Sequence, residues 1–454
     1  MATVAETLAD WLVGLDGVKL PEGAREGTLF SLIDTVGLSY AARIEDYMKM
    51  LAVGWDAGPG KATVFGHGRD ADAVTAAMIN GTGAHGEDFD NTYEGCPVHS
   101  GAVVVPAVLA LAQEKGISGA RAFTAMAAGI EIMCRMGLIA GTNVHKAGYH
   151  PTAVIGAMGA AAAAGVALGL DRAGLVNAFG LAGSMASGII EYLADGSWTK
   201  RMHAGWAAQA GIRAVRMAGA GFRGPSSVFE GTHGFYFAFA HDKAPDCSPL
   251  VDDLGTRWEA GRLSFKPYAC GTMCQPYIDC AVRLAASGVR ADDIEAITCK
   301  VGEGTVHRLW APIELKRRPP SAYGSKFSGP YCVAVGFLDG DAGLAQFTDA
   351  RVQAPDVLAL AAKVSFEVDP ENEYPANYTG HVRAALKDGS VREEFQPCLR
   401  GGVRQPLTRE DIVKKFRANL AYGGMTADRA DRLLALLEGL PALGDLGALS
   451  AFRD

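Results

Sequence analysis

From Thr152 to Leu170 the chain reads TAVIGAMGAAAAAGVALGL, nineteen residues without a charge. The stretch is long enough to cross a membrane, but it is mostly Ala and Gly, and polar turns flank it instead of aromatic or basic anchors. We therefore expect a buried helix. Its small residues, Gly156 to Ala160 in particular, predict that a neighbouring helix packs closely against it.

The chain on the N-terminal side of this stretch has the apolar spacing of helices. Breakers at Gly58-Pro59-Gly60, Asn80-Gly81 and Gly116 are expected to end some of them. The predicted helices are Glu6 to Leu15, Arg25 to Ala41, Asp72 to Asn80, Gly101 to Lys115 and Gly119 to Ala140.

After Lys266 the pattern becomes mixed. Alternating β-branched residues predict strands at 294–301 and 363–368, and Asp388-Gly389 predicts a hairpin turn between 381–387 and 390–395. Helices are predicted at 278–286 and 331–338 in the same region.

Helical spacing returns after Pro406. Thr408 is a plausible N-cap with Asp411 at the third position, before amphipathic segments at 412–420 and 427–437. We therefore predict a mainly α protein with a smaller α+β domain. The helical domain takes residues 1–261, the α+β domain 262–400, and the helical domain resumes at 401–454.

Charge and composition exclude several classes of protein. The 454 residues carry 42 Lys+Arg against 50 Asp+Glu, a formal net charge of −8, which argues against a nucleic-acid binder. With 49 % hydrophobic and 20 % charged residues the chain is not intrinsically disordered. The first twelve residues lack a basic region before an apolar run, and the nine cysteines have no framework spacing. We expect reduced thiols, a cytoplasmic location and no membrane partner.

No common cofactor or nucleophile motif occurs in the sequence context that it requires. No G-x-G-x-x-G follows a strand, and Gly58-Pro59-Gly60-Lys61 lacks the spacing and hydroxyl of a phosphate loop. There is no G-x-S-x-G and no C-x-x-C. We expect neither a nucleotide cofactor nor a metal.

Two polar clusters precede or open predicted helices. The first runs from His85 to Ser100, with four acids, Thr92 and two imidazoles between predicted buried helices. Such a group binds a ligand or forms a helix-capping network. In the second, Gly148-Tyr149-His150-Pro151-Thr152, Pro151 suits the first helical turn and places His150 at an N-terminus that attracts anions. A lone capping histidine is the alternative.

Two further clusters contain lysines. In Asp195 to His203, Lys200 and His203 lie one helical turn apart and could share a carboxylate, or they form a solvated basic helix start. Lys266-Pro267-Tyr268 and the segment from Ser325 to Tyr331 adjoin the predicted domain junction, a preferred place for ligand sites.

Taken together, the clusters resemble the 2-methylcitrate dehydratase family, also called MmgE/PrpD. The residues that carry the resemblance are DFDNT at 88–92, VHSGAVVVPA at 98–107, GYHPT at 148–152, DGSWTKRMHAG at 195–205, KPY at 266–268 and KFSGPY at 326–331. With Pro406-Leu407-Thr408 and Lys415-Phe416 the likeness spans nearly the whole chain.

The resemblance implies a large helical domain built from both chain ends, an inserted α+β lid domain, a homodimer, and catalysis without metal or organic cofactor. It also implies a small polycarboxylate substrate that is dehydrated, decarboxylated or epimerised. The family's active-site residues fall on Asp88, Thr92, His99, His150, Lys200, Lys266 and Tyr331.

We assign His99 and His150 to proton transfer, with Tyr331 assisting and Asp88 orienting an imidazole or carrying a proton. Substrate carboxylates are assigned to Thr92, Lys200, His203 and Lys266.

Three reactions remain open, two of them catalysed by lyases and one by an isomerase. A non-catalytic binding protein is a fourth alternative. In cis-aconitate decarboxylases a histidine stands at the position that Val98 occupies in this chain, where the histidine, His99, comes one residue later. This difference argues against a decarboxylase. The leading hypothesis is a cofactor-free lyase that dehydrates a 2-methylcitrate-like hydroxy acid. The alternative is an epimerase of an iminodisuccinate-like dicarboxylate. A polycarboxylate-binding protein of the same fold is the non-catalytic alternative.

Overall fold

The computed structural model describes residues 2–15 and 17–454, and it is mainly helical with a small mixed sheet in the C-terminal region. The chain divides into two compact units. Unit 1 comprises Met1–Gly86, Asp90–Ser264 and Ile412–Asp454, and unit 2 comprises Glu87–Phe89 and Phe265–Asp411.

Among its described residues, the first part of unit 1 holds thirteen α-helices and four short strands. The helices are α1 (Val4–Val13), α2 (Glu22–Ala41), α3 (Asp46–Gly54), α4 (Ala73–Gly86), α5 (Ser100–Lys115), α6 (Gly119–Ala140), α7 (Asn143–Lys146), α8 (Pro151–Leu168), α9 (Arg172–Met185), α10 (Tyr192–Asp195), α11 (Thr199–Gly219), α12 (Phe235–Ala240) and α13 (Ser248–Val251). The strands form two antiparallel pairs, β1 (Ala62–Val64) with β2 (Arg69–Ala71) and β3 (Thr92–Tyr93) with β4 (Leu263–Ser264).

Helix α8 lies in the core of unit 1, packed against α5, α6, α9 and α11. The predicted close packing is confirmed at Gly159, where an added Cβ would lie 2.2 Å from Cγ of Met133 in α6. Helices α6 and α8 are both long and apolar enough to span a membrane, but their apolar windows are 83 % and 89 % buried inside the protein. The prediction of a buried helix from Thr152 onward is therefore confirmed.

The predicted break at Asn80-Gly81 is wrong, because α4 continues without interruption to Gly86. The two residues serve tertiary contacts instead. The Asn80 amide donates to the Thr63 carbonyl oxygen at 2.8 Å, and an added Cβ on Gly81 would lie 2.8 Å from Cα of Gly205 in α11. Packing between α4 and α11 thus outweighs the low helix propensity of both residues.

Unit 2 contains a four-stranded mixed sheet in the order β6-β5-β7-β8. Strand β5 runs parallel to β6 and antiparallel to β7, and β7 and β8 form the predicted hairpin around Asp388-Gly389. The elements of this part are α14 (Gln275–Ala286), β5 (Ile294–Val301), α15 (Glu303–Thr305), α16 (Ile313–Arg317), α17 (Ala322–Ser325), α18 (Gly329–Asp339), α19 (Asp349–Val352), α20 (Pro355–Ala361), β6 (Val364–Val368), β7 (Gly380–Leu386) and β8 (Val391–Gln396).

The chain ends in helices α21 (Arg409–Tyr422) and α22 (Ala427–Glu438). The predicted cap of α21 is confirmed: the backbone N–H of Asp411 donates to Thr408 Oγ1 at 3.2 Å, and that of Thr408 donates to Asp411 Oδ2 at 3.0 Å. These reciprocal bonds satisfy donors at the helix start that would otherwise lack partners.

Candidate active site

Four histidines from four elements of unit 1 come together, and we call His85, His99, His150 and His203 the histidine cluster. All four are buried, with 1 to 7 % of their surface exposed. The ring centroid of His85 lies 4.8 Å from that of His99 and 5.4 Å from that of His150. The ring centroids of His150 and His203 lie 5.3 Å apart.

Helix ends position three of these rings. His85 lies in the last turn of α4, while His99 and His150 are the N-cap residues of α5 and α8. Pro151 occupies the first turn of α8, as predicted. The backbone N–H of His99 donates to Thr152 Oγ1 at 3.2 Å, which ties the start of α5 to the first turn of α8.

Asp90 lies between two of the imidazoles. Its Oδ2 is 2.8 Å from Nδ1 of His85, and its Oδ1 is 3.2 Å from Nδ1 of His99. Burial alone would raise the pKa of Asp90, but His99 and His85 hold that pKa well below its usual value. The carboxylate is therefore ionised at neutral pH, in a position where its side chain is fully buried.

The other two imidazoles face each other, with Nδ1 of His150 lying 3.1 Å from Nδ1 of His203. Burial, followed by the charges of His85 and Lys200, lowers the pKa of His203 to about 4. Burial, joined by His85 and His203, holds the pKa of His150 well below its usual value. Burial also lowers the pKa of His85 to about 4 despite the opposing effect of Asp90. These three rings are neutral at pH 7.

Lys200 is the cation that acts on this group. It is partly buried in the first turn of α11, three residues before His203, and its charge lowers the pKa values of His85, His150 and His203. Thr92 is buried in β3 of the same unit, where it pairs with Ser264.

Unit 2 contains the remaining predicted residues. Lys266 Nζ lies 3.2 Å from Asp88 Oδ2 and donates to the Asp88 carbonyl oxygen at 2.8 Å. Lys326 binds Glu87 in the same way, through Oε2 at 3.0 Å and the carbonyl oxygen at 2.9 Å. The buried hydroxyl of Tyr331 donates to the Gln346 carbonyl oxygen, and burial raises its pKa.

The predicted residues thus fall into two groups. Unit 1 brings His99, His150, His203 and Lys200 together, and unit 2 pairs Asp88 with Lys266. The carboxylate that contacts imidazoles is Asp90, whereas that of Asp88 contacts Lys266.

Sequence reasoning missed His85, Asp90, Glu87 and Lys326 as individual residues. His85 and Asp90 both lie in the first polar cluster, and their position between buried helices was the available signal.

A metal ion has one candidate place among residues 2–15 and 17–454, formed by His85, Asp90 and His99, whose ligand atoms lie within 4.8 Å of one another. Within this trio, His85 Nδ1 and Asp90 Oδ2 form a hydrogen bond of 2.8 Å, whereas His99 Nδ1 and Asp90 Oδ1 lie 3.2 Å apart and are both without a hydrogen-bond partner. The nine cysteines are all free thiols.

Comparison with known proteins covers nearly the whole chain. The MmgE/PrpD N-terminal domain matches residues 6–248, and the MmgE/PrpD C-terminal domain matches residues 268–438. Cis-aconitate decarboxylase of Aspergillus terreus is 28 % identical over 98 % of this chain and 95 % of its own length. The enzymes of that name from Mus musculus and Homo sapiens are 28 % and 30 % identical, over 99 % and 83 % of this chain and 93 % and 78 % of their own.

Proposed function

This chain belongs to the MmgE/PrpD family, whose enzymes act on small polycarboxylates, and from that premise we propose that it is a lyase that dehydrates a hydroxy-polycarboxylate. One observation carries the choice of reaction. Unit 1 holds two separately oriented imidazoles, His99 beside Asp90 and His150 beside His203.

Dehydration next to a carboxylate needs two proton movements. A base removes the proton from the carbon, and an acid protonates the departing hydroxyl group. His99, adjacent to an ionised carboxylate, is suited to the first step. His150 is suited to the second once the charges of a bound substrate raise its pKa, because an imidazolium is the stronger acid.

The anionic substrate also needs counter-charges. Lys200 supplies a cation beside the histidine cluster, and α8 directs its positive N-terminal end toward the position of His150. Thr92 can add a hydroxyl donor. These groups would stabilise the negative charge that develops on the substrate when the proton leaves carbon.

Decarboxylation of cis-aconitate is the second candidate, favoured by the names of the three relatives. Loss of carbon dioxide leaves a carbanion that needs only one proton donor. Decarboxylation would therefore use one of the two oriented imidazoles, whereas dehydration uses both. The Val98-His99 sequence departs from the histidine placement of those decarboxylases, which lowers the support for this second candidate.

The deciding experiment is proton NMR in deuterium oxide with EDTA-treated protein and citrate, 2-methylcitrate, cis-aconitate or iminodisuccinate. An olefinic product from a hydroxy acid supports dehydration, and loss of carbon dioxide from cis-aconitate supports the second candidate. Deuterium incorporation without loss of water would indicate an epimerase. Inertness toward all four acids, or activity that only a divalent metal restores, would contradict a metal-free lyase.

His99→Asn is the informative variant, and His67→Asn is its control. His67 is partly buried at the turn between β1 and β2, and burial lowers its pKa to about 4 as it does for His85. We expect His99→Asn to lose turnover and His67→Asn to keep it.

A further inference from the structure

On the premise of the proposed function, we propose that Asp90 is a positioning residue that fixes the tautomer of His99, and that His85 is the second donor that holds Asp90 in place. His99 then carries its hydrogen on Nδ1 and presents Nε2 as the base. Neither Asp90 nor His85 needs to touch the substrate in this role.

The hydrogen-bonding capacity of the groups leads to this assignment. An ionised carboxylate can only accept hydrogen bonds, so each nitrogen that faces it closely must carry a hydrogen. Nδ1 of His85 forms a hydrogen bond of 2.8 Å with Oδ2 of Asp90. Nδ1 of His99 lies 3.2 Å from Oδ1 of Asp90 in an ion-pair contact that lacks the angle of a hydrogen bond. The hydrogen bond places the hydrogen of neutral His85 on Nδ1. For neutral His99, a lone pair on Nδ1 would face the carboxylate at 3.2 Å and be repelled by it, so the hydrogen is assigned to Nδ1 and the lone pair to Nε2.

The two rings differ in what this leaves them able to do. His85 Nε2 is buried without a hydrogen-bond partner, and the ring stacks on His150 at a centroid distance of 5.4 Å and an interplanar angle of 25°. A buried polar atom without a partner calls for an explanation. His85 serves in this arrangement through its Nδ1–H, which holds Asp90 in the orientation that His99 requires.

Replacing Asp90 by asparagine would break this arrangement in a defined way. An amide has one acceptor oxygen and one donor nitrogen, so it can satisfy the Nδ1–H of only one of the two rings. The other ring must turn its Nδ1 lone pair toward the amide and carry its hydrogen on Nε2. If that ring is His99, the proposed base is lost although the residue is still present.

Nitrogen NMR of histidine-labelled protein tests the tautomer directly. The His99 and His85 signals are assigned with His99→Asn and His85→Asn. We expect Nδ1–H and unprotonated Nε2 for both rings in the natural protein at pH 7.5. A His99 ring protonated at Nε2 would overturn the proposal. Because the tautomer is measured in the natural protein, the test does not depend on whether an Asp90 variant folds.

Kinetics tests the consequence of the tautomer. We expect Asp90→Asn to lower kcat roughly 100- to 10,000-fold with a much smaller change in KM, as for other carboxylate–imidazole pairs, and Asp90→Glu to restore part of it. The control is Asp34→Asn, which removes an equally buried carboxylate that lies 2.7 Å from Lys415. A normal kcat in Asp90→Asn, or equal losses in both variants, would overturn the positioning role.

The two proposals fail separately. Lack of turnover on every acid contradicts the proposed function, whereas the tautomer of His99 is read without any turnover and decides this inference.

Discussion

Nδ1 of His150 and Nδ1 of His203 lie 3.1 Å apart in two buried rings. Two nitrogens at that distance share one hydrogen, so one ring donates and the other accepts. The proton on one ring therefore determines which nitrogen of the other is available. His203 was expected from the sequence to bind substrate, and its Nδ1 instead faces His150.

His203 should therefore affect kcat more than KM. We expect His203→Ala to lower kcat about 10- to 100-fold, the usual range for residues that orient an active group, because it leaves Nδ1 of His150 without a partner. His203→Asn should keep much of the activity, since an amide can still donate or accept. Steady-state kinetics on the acid identified by NMR gives both constants.

The control for this prediction is His67→Ala, which truncates a histidine at the turn between β1 and β2. A rise in KM at constant kcat in His203→Ala would instead show that His203 binds substrate.

Acid should destabilise the protein well before its carboxylates titrate. The pKa values of His85 and His203 are lowered to about 4, so between pH 6.5 and pH 4 these rings are protonated in the unfolded chain and not in the folded one. The unfolded state then binds more protons, and the free energy of unfolding falls as the pH falls through this window. The expected slope is about 1.4 kcal/mol per pH unit for each such ring.

Urea unfolding between pH 4.5 and pH 8 measures this slope. The charged or titratable neighbours that set it are Asp90, Lys200, His99 and His150. His203→Asn should flatten the curve by the contribution of one ring, and His67→Asn should do the same because the pKa of His67 is also lowered to about 4. A free energy of unfolding that stays constant across the range would contradict neutral buried rings.

Local patterns predicted much of the fold because local interactions determine those features. The Asp388-Gly389 turn, the Thr408 cap and the proline in the first turn of α8 are each fixed by a few neighbouring residues. The break at Asn80-Gly81 failed because contacts with distant segments keep α4 intact.

The site was predictable by region but not by individual partner. Asp88 and Asp90 are two positions apart in the sequence, yet one contacts Lys266, 178 residues away, and the other contacts His85 and His99. Asp88 also adopts a left-handed backbone with φ of 54°, which is uncommon for a residue other than glycine. A linear pattern shows that both acids are buried and leaves their partners undetermined.

Binding of a polycarboxylate should be accompanied by proton uptake. The carboxylate of Asp90 is already shared by His85 and His99. At least three rings of the histidine cluster are neutral in the free protein and can therefore take up a proton. Negative charges from a ligand raise the pKa values of nearby imidazoles. Calorimetry at pH 6.5 in two buffers with different ionisation enthalpies should show a positive number of protons taken up per ligand.

Lys200→Met provides the comparison for this experiment. It should weaken the binding of the acid while proton uptake persists, because the imidazoles remain. Binding with no proton uptake in the natural protein would indicate that lysines alone neutralise the ligand and that the histidine cluster lies apart from it.

The lysine pairs of unit 2 should matter for stability as well as for any role in binding. Lys266 and Asp88 are both buried, with side chains 4 % and 6 % exposed, so removing the lysine charge leaves a buried carboxylate without its ion-pair partner. Lys266→Met should therefore lower the free energy of unfolding by about 3 to 5 kcal/mol. Lys49→Met is the matched control, because its pair with Asp46 is exposed and such pairs contribute less than about 1 kcal/mol. Chemical unfolding of both variants at pH 7.5 measures the difference, and equal stabilities would show that the Lys266–Asp88 pair does not hold its segment of unit 2 in place.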